Sequence, residues 1–249
     1  MRNLMMVALL LVGLFFAFPV SAEESVSAEE LLRRVDSALS VAEDFTATIT
    51  LTTTARSGAE ESRTMTVWQK GANQRMVKIT APARLRGVGL LAQSEGQLYI
   101  YLPSFNRVRR VAGQQRGEPF MGSNFTQDDL TRTSYGDRFR PELLEERDTH
   151  FRLNLLPLKP EDEPYSRLVI DVRKEDFQVS LIEIYEPGEA EVSRRLEARR
   201  FEDQEGQIVA MEIEAQDLRR QSRSVATFSD VQVNSGLSDS LFTQRYLQR

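Results

Sequence analysis

A chain of 249 residues with no cysteine, a single histidine (His150) and a net charge of −5 excludes several chemistries at once. Without cysteine there is no disulfide framework, thiolate metal site, cysteine nucleophile or lipid-anchored cysteine, and one histidine is too few for a multi-histidine zinc centre. The 32 basic and 37 acidic residues leave no positive excess for nucleic acid, and 41% hydrophobic with 28% charged residues fits a water-soluble globular chain.

The first segment has the form of a secretory signal. Arg2 supplies the positive end, residues 4–18 an apolar run, and Val20-Ser21-Ala22 small residues ahead of acidic Glu23. An uncleaved membrane anchor is the alternative for such a run. Pro19 and the acidic start that follows favour cleavage after Ala22. The expectation is therefore a signal peptide over 1–22 and one domain over 23–249, soluble outside the cytoplasm. No later stretch is apolar over a spanning length.

Ser27-Ala28-Glu29-Glu30 has the spacing of a capping box, and Leu31, Leu32, Val35, Ala38, Leu39 and Ala42 continue at helical spacing. One amphipathic helix is predicted over 28–42. The period then switches to two: Phe45, Ala47, Ile49 and Leu51 alternate with four threonines. Further strands are predicted over 64–70, 75–80, 88–92, 97–102 and 107–111, separated by polar turns.

Residues 113–137 break the rhythm. They are rich in Gly, Ser, Asn and Asp, carry Phe120, Met121 and Phe125, and offer a helical turn at 125–130 capped by Asn124 or Thr126. Strand signals resume over 143–147, 150–156, 167–173, 179–185, 194–202, 207–215 and 225–233, and a terminal helix is predicted over 241–247. Short polar turns between strands favour antiparallel pairs. A sheet this wide curls, either into a closed barrel or into a half-open one whose concave face is covered by the helix and the 120–130 segment.

Catalytic equipment is sparse. His150 would need a nucleophile and an orienting carboxylate to act as a base, and otherwise reads as a strand-surface histidine. No nucleophile elbow, zinc-protease motif or phosphate loop occurs, and Gly87-Val88-Gly89 is only a fragment of a dinucleotide fingerprint. Asp128-Asp129 reads as a helix N-terminus. No metal or cofactor is expected. Strand 97–102 is apolar on both faces, with Tyr99 and Tyr101 on one, and so serves either core or a ligand space. Arg107, Arg109 and Arg110 form a basic stretch in an acidic protein, suited to headgroups, an acidic partner or a solvated edge.

Lys70-Gly71 with Arg75-Met76, Pro82, Arg86-Gly87-Val88-Gly89-Leu90-Leu91, Tyr99-Ile100-Tyr101-Leu102-Pro103, Arg107–Gly113 and Phe120-Met121-Gly122-Ser123-Asn124-Phe125 with Asp128-Asp129-Leu130 form a series. In order and spacing this series resembles the outer-membrane lipoprotein-sorting family, LolA-like periplasmic proteins. The likeness is densest over residues 70–130. One departure is Asn124, where the family usually has Asp.

The resemblance implies a mainly β fold: a single antiparallel half-barrel with helices over its concave face and a cavity for acyl chains. It also implies a periplasmic carrier or chaperone for lipids or lipoproteins, working with a membrane transporter of the resistance–nodulation–division type or another acceptor. The expected cavity residues are Ile49, Leu51, Val67, Trp68, Leu90, Tyr99, Tyr101, Phe120, Met121 and Phe125, with Arg107, Arg109 and Arg110 meeting headgroups or a partner. The alternatives are a non-carrying accessory module on a transporter or envelope sensor, and a lipid hydrolase built around His150.

Overall fold

The computed structural model describes residues 26–40, 43–93 and 96–249. The expected signal segment, 1–22, lies outside these residues. From Asp44 onward, alternation of apolar and polar side chains builds one antiparallel sheet of 13 strands. The first six are β1 (Asp44–Thr54), β2 (Glu60–Lys70), β3 (Gln74–Ala81), β4 (Gly89–Gln93), β5 (Gln97–Leu102) and β6 (Arg107–Val111). The remaining seven are β7 (Phe139–Glu146), β8 (His150–Pro157), β9 (Arg167–Arg173), β10 (Val179–Tyr185), β11 (Arg194–Gln204), β12 (Gln207–Asp217) and β13 (Ser222–Val233).

Their spatial order is β6-β5-β4-β3-β2-β1-β13-β12-β11-β10-β9-β8-β7. All neighbours but β1 and β13 are consecutive in sequence, as short polar turns require. The chain thus climbs from the middle to one edge, crosses to the other, and climbs back. The two edge strands, β6 and β7, do not pair, so the sheet stays half open. The crossing segment, 112–138, must span the open side, which is why a polar loop composition there carries buried aromatics.

One face of the sheet, the inner face, is covered by α1 (Ala28–Leu39) and by the crossing segment with α2 (Gln127–Thr131). Burial of Leu31, Leu32 and Val35 gives α1 its inward side. The Ser27 hydroxyl accepts the Glu30 amide at 3.1 Å, but Glu30 pairs with Arg34 (2.7 Å), so only half of the expected capping box forms. The helix also ends at Leu39, short of the predicted 42, because Ser40 is extended and its N–H closes on the Asp36 carbonyl. The Asp36 carboxylate then accepts the amides of Tyr135 (2.7 Å) and Gly136 (2.9 Å), fastening α1 to the crossing segment.

The opposite, outer face carries a smaller core of Met76, Leu91, Tyr101, Phe242 and Leu247. It is closed by the C-terminal tail, where a 3₁₀ turn over Asp239–Phe242 and the short α3 (Gln244–Leu247) replace the continuous helix predicted. Thr243 breaks the two, turning its hydroxyl to accept the Tyr246 amide (3.2 Å). The tail is anchored where Asp44 accepts the amides of Ser235, Gly236 and Leu237, each at 2.8 Å, and where Lys70 donates to Asp239 at 2.6 Å. Two glycines before and at the start of β4 meet close neighbours, Gly87 at Pro103 and Gly89 at the tail. Gly87 takes φ +85°, and a Cβ on Gly89 would sit 2.9 Å from the Leu247 side chain.

Candidate functional site

Inward side chains pack solidly over β2–β6, but not over β10–β13. Across β11, β12 and β13 the register aligns Ala198 with Ile213 and Ile213 with Ala226, so two of three adjacent inward positions carry only a methyl group. Above them, the C-terminal end of α1 stops at Leu39. The result is a cavity of about 210 Å³ between sheet, helix end and crossing segment. Phe45, Ile49, Val67, Phe125, Leu130, Ile182, Ile213 and Phe228 give it an apolar wall. It exceeds the roughly 150 Å³ aliphatic cavity that stays dry and admits benzene, and falls below the about 300–1,000 Å³ of drug-sized pockets. It has room for one slender apolar chain.

The polar groups around the rim have local duties. A helix end leaves carbonyls without partners. Gln178 Nε2 (3.0 Å) and Gln207 Nε2 (3.3 Å) donate to the Ala38 carbonyl, and Gln69 Nε2 donates to that of Leu39 (3.0 Å). Three glutamines from three parts of the sheet thus cap α1 where it meets the cavity.

The crossing segment is held over the cavity by buried ions. Thr126 and Asp129 form a reciprocal cap on α2: the Asp129 amide donates to the Thr126 hydroxyl (3.1 Å), and the Thr126 amide donates to Asp129 Oδ2 (2.8 Å). Asp129 also pairs with Arg194 of β11, and Asp128 pairs with Arg132 and with Arg138 (2.6 Å), which in turn meets Glu163 (2.7 Å). Three carboxylates face three guanidinium groups, so the network is balanced. Burial alone would raise the Asp128 carboxyl, but Arg132 and Arg138 outweigh it and hold it well below the usual carboxylate range. Burial likewise opposes charge on Arg138, yet Asp128 and Glu163 hold it above its ordinary value. Arg132 stacks over Tyr135 (5.1 Å) and Tyr165 (5.7 Å). The sequence reading of Asp128-Asp129 as a helix N-terminus captured the cap and missed the network, whose partners lie far along the chain.

Of the residues expected at the cavity, Ile49, Val67 and Phe125 line it. Leu51, Leu90 and Phe120 are buried in the same inner core outside its wall, and Met121 packs against that core from a left-handed backbone (φ +49°). Trp68, Tyr99 and Tyr101 lie on the outer face under the C-terminal tail, which corrects the lining expected of them. The reason is alternation. Val67 points inward, so its neighbour Trp68 points outward, and on β5 it is Leu98 and Ile100 that face the inner core. Arg107, Arg109 and Arg110 are exposed on the edge strand β6, with no ion pair among the described residues, beside the exposed Phe105.

His150 starts β8, its Nδ1 2.7 Å from the Thr149 hydroxyl. Asn124 does not cap α2. Its side-chain amide donates to the Ser222 carbonyl (2.7 Å) and its backbone amide to the Ser224 hydroxyl (2.9 Å), tying the crossing segment to β13. A second recess, about 360 Å³, lies beside it, and its arginines are already matched, Arg194 to Asp129 and Arg219 to Glu186.

The lining from β10 to β13 and the rim residues Tyr135 and Gln178 were not singled out in the sequence, and Arg75 entered only as part of the family-like series. The available signal was negative: alanine at 198 and 226, where neighbouring inward positions are large.

Among the described residues no helix is long and apolar enough to cross a membrane. No curated protein matches the sequence. Three solved structures share the fold. A DUF1329 family protein from Desulfovibrio piger superposes with TM-score 0.81 at 22% identity, covering 88% of this chain and 97% of its own. A domain described as an outer membrane lipoprotein-sorting protein, from Vibrio parahaemolyticus, gives 0.81 at 19% identity over 89% and 98%. A LolA superfamily protein from Nitrosomonas europaea gives 0.74 at 24% identity over 89% and 100%. At these identities the likeness is one of fold. A family model described as "-like: Uncharacterized protein" matches residues 71–249, most of the chain. The chain belongs to this uncharacterized family, and its half-open sheet is the LolA-like fold.

Proposed function

We propose that the protein is a periplasmic carrier that shields an acyl chain of a lipid or lipoprotein in the cavity beneath α1 and the crossing segment. The observation that carries this reading is the cavity itself: an apolar space of about 210 Å³ left unfilled inside an otherwise close-packed inner face. Each methylene moved there from water gains roughly 0.8 kcal/mol, enough for several carbons to hold a chain without any covalent step. The lipoprotein-sorting domain and the LolA superfamily protein of the same fold support the class of cargo. In this reading Arg107, Arg109 and Arg110, with Phe105 at the adjacent turn, meet headgroups or an acidic face of the donor or acceptor, an inner-membrane transporter among them. The protein acts as a monomer, and its binding needs no cofactor.

The test is native mass spectrometry of protein recovered from the periplasm, followed by titration with a fluorescent acyl probe. Co-purifying lipid, or saturable uptake of one probe per chain, is expected. Protein that emerges empty and takes up no probe overturns the carrier.

A further inference from the structure

The buried charges at the cavity balance, and one half-buried arginine on its wall stands outside that balance. Asp128, Asp129 and Glu163 are matched by Arg132, Arg138 and Arg194. Arg75, on the inner face of β3, has no carboxylate partner among the described residues. Its Nη1 donates to the Arg132 carbonyl at 3.2 Å, its Nε is buried with no acceptor, and its side chain forms part of the cavity wall. A guanidinium has five donor hydrogens, and leaving its buried Nε unmet at the edge of an apolar space is costly. The nearby glutamines do not relieve it: their nitrogens face main-chain carbonyls, and the hydrogen bond that Arg75 makes goes to the Arg132 carbonyl rather than to the side-chain oxygen of Gln69, Gln178 or Gln207. Asp129 also borders the cavity, but its Oδ2 is taken by Arg194 and the Thr126 amide, while Oδ1 faces Arg132 at 4.0 Å. Burial lowers the Arg75 guanidinium to about 10, so it keeps its charge at neutral pH.

Resting on the carrier reading above, we infer that the cavity takes an anionic single-chain amphiphile, whose carboxylate or phosphate monoester head pairs with Arg75 while its tail enters the space beneath Phe125 and Phe228. The head supplies the acceptors that the protein does not, in a fork geometry suited to a planar or tetrahedral oxyanion. The tail fills the void left by Ala198 and Ala226.

Isothermal titration of the full-length mature protein with decanoate, decyl phosphate and 1-decanol tests this, with Arg75→Gln and Arg75→Lys alongside. Wild type is expected to bind the anions at least tenfold more tightly than the alcohol. Arg75→Gln should erase that preference while keeping the alcohol affinity, and Arg75→Lys should restore part of it. Whichever of decanoate and decyl phosphate binds tighter identifies the head. A thermal melt of ligand-free Arg75→Gln guards against a merely structural role: loss of an unpaired charge leaves Tm unchanged or higher, whereas a structural arginine would lower it. Equal binding of anions and alcohol by wild type overturns the assignment of Arg75 and leaves the carrier standing. Binding of none of the three overturns both.

Discussion

Two adjacent rows of the same sheet met opposite fates. In one, the register aligns Ala47, Val67, Val77, Leu90 and Ile100 from β1 to β5, all facing inward. One residue away, Thr46, Trp68, Met76, Leu91 and Tyr99 align on the outer face, where the larger, more conspicuous side chains lie. The outer row is sealed by Phe242 and Leu247 of the tail, whereas the inner face ends at a cavity toward β13. In these two rows the aromatic bulk lies on the closed face, and the open space lies farther along the sheet, where Ala198 and Ala226 leave room between larger residues. A lining made of what is missing is harder to see than one made of what is present.

The sharpest way to break this comparison is at the closed face. Phe242 is fully buried between the tail and β4. Phe242→Ala should cost about 3–5 kcal/mol in urea unfolding, through lost burial and the cavity left behind. At low denaturant the folded fraction should still take up an acyl probe with wild-type affinity. A parallel loss of probe binding would show that the two faces are coupled rather than independent.

The ionic latch is the next largest effect. Asp128→Asn leaves Arg132 and Arg138 short of a carboxylate and should cost about 3 kcal/mol, as breaking a buried pair does. The pH dependence follows from the direction of the shift. Because the folded Asp128 carboxyl lies below its unfolded value of about 3.9, its ionised form contributes stability that is fully present above about pH 4. That contribution fades as pH falls through the folded value. Wild-type stability should thus drop below about pH 4 more steeply than that of Asp128→Asn, and parallel curves would remove Asp128 from the latch.

Much of the fold was legible because it is local. Of the twelve strand pairs eleven join strands consecutive in sequence and only the β1–β13 closure does not, so period-two alternation and polar turns lead directly to a meander. The inner aromatics of the crossing segment, Phe120 and Phe125, were also readable, since apolar side chains in a glycine-bearing loop need a core to enter. What sequence alone left open was face. On β2, Val67 and Trp68 are equally apolar, and only the docking of the distant tail decides which one looks outward. The ionic network was hidden for a similar reason: Asp129 finds Arg194, and Arg138 finds Glu163, across separations that no local pattern records.

Filling the open side sharpens the comparison without dismantling it. Ala198 lines the cavity and pairs with Ile213, so Ala198→Leu places three extra carbons into the void. Stability should change by no more than about 1 kcal/mol, gained burial offsetting local crowding. Acyl-probe affinity should fall at least tenfold in the same fluorescence titration. Unchanged affinity would place the bound chain elsewhere than beside β11 and β12.

The smallest effect concerns Asn124. The side-chain nitrogen of Asn124 donates to both the Ser222 carbonyl (2.7 Å) and the Ser222 hydroxyl (2.9 Å), and a carboxylate can donate to neither. Asn124→Asp would set a negative oxygen against that carbonyl, while Arg194, which donates to the Asn124 backbone carbonyl, is already paired with Asp129. The two serines can still turn their hydroxyls toward the new carboxylate, as Ser222 already does toward Asn124 Oδ1 at 3.3 Å. The balance is a loss of about 1 kcal/mol, the scale of one hydrogen bond, read as a lower urea midpoint with an unchanged slope. Since α2 is capped by Thr126 and Asp129, its helicity and the reciprocal cap should survive the change. A substantially stabilised variant would mean that position 124 wants charge, and that the serines of β13, rather than the asparagine, set the crossing segment in place.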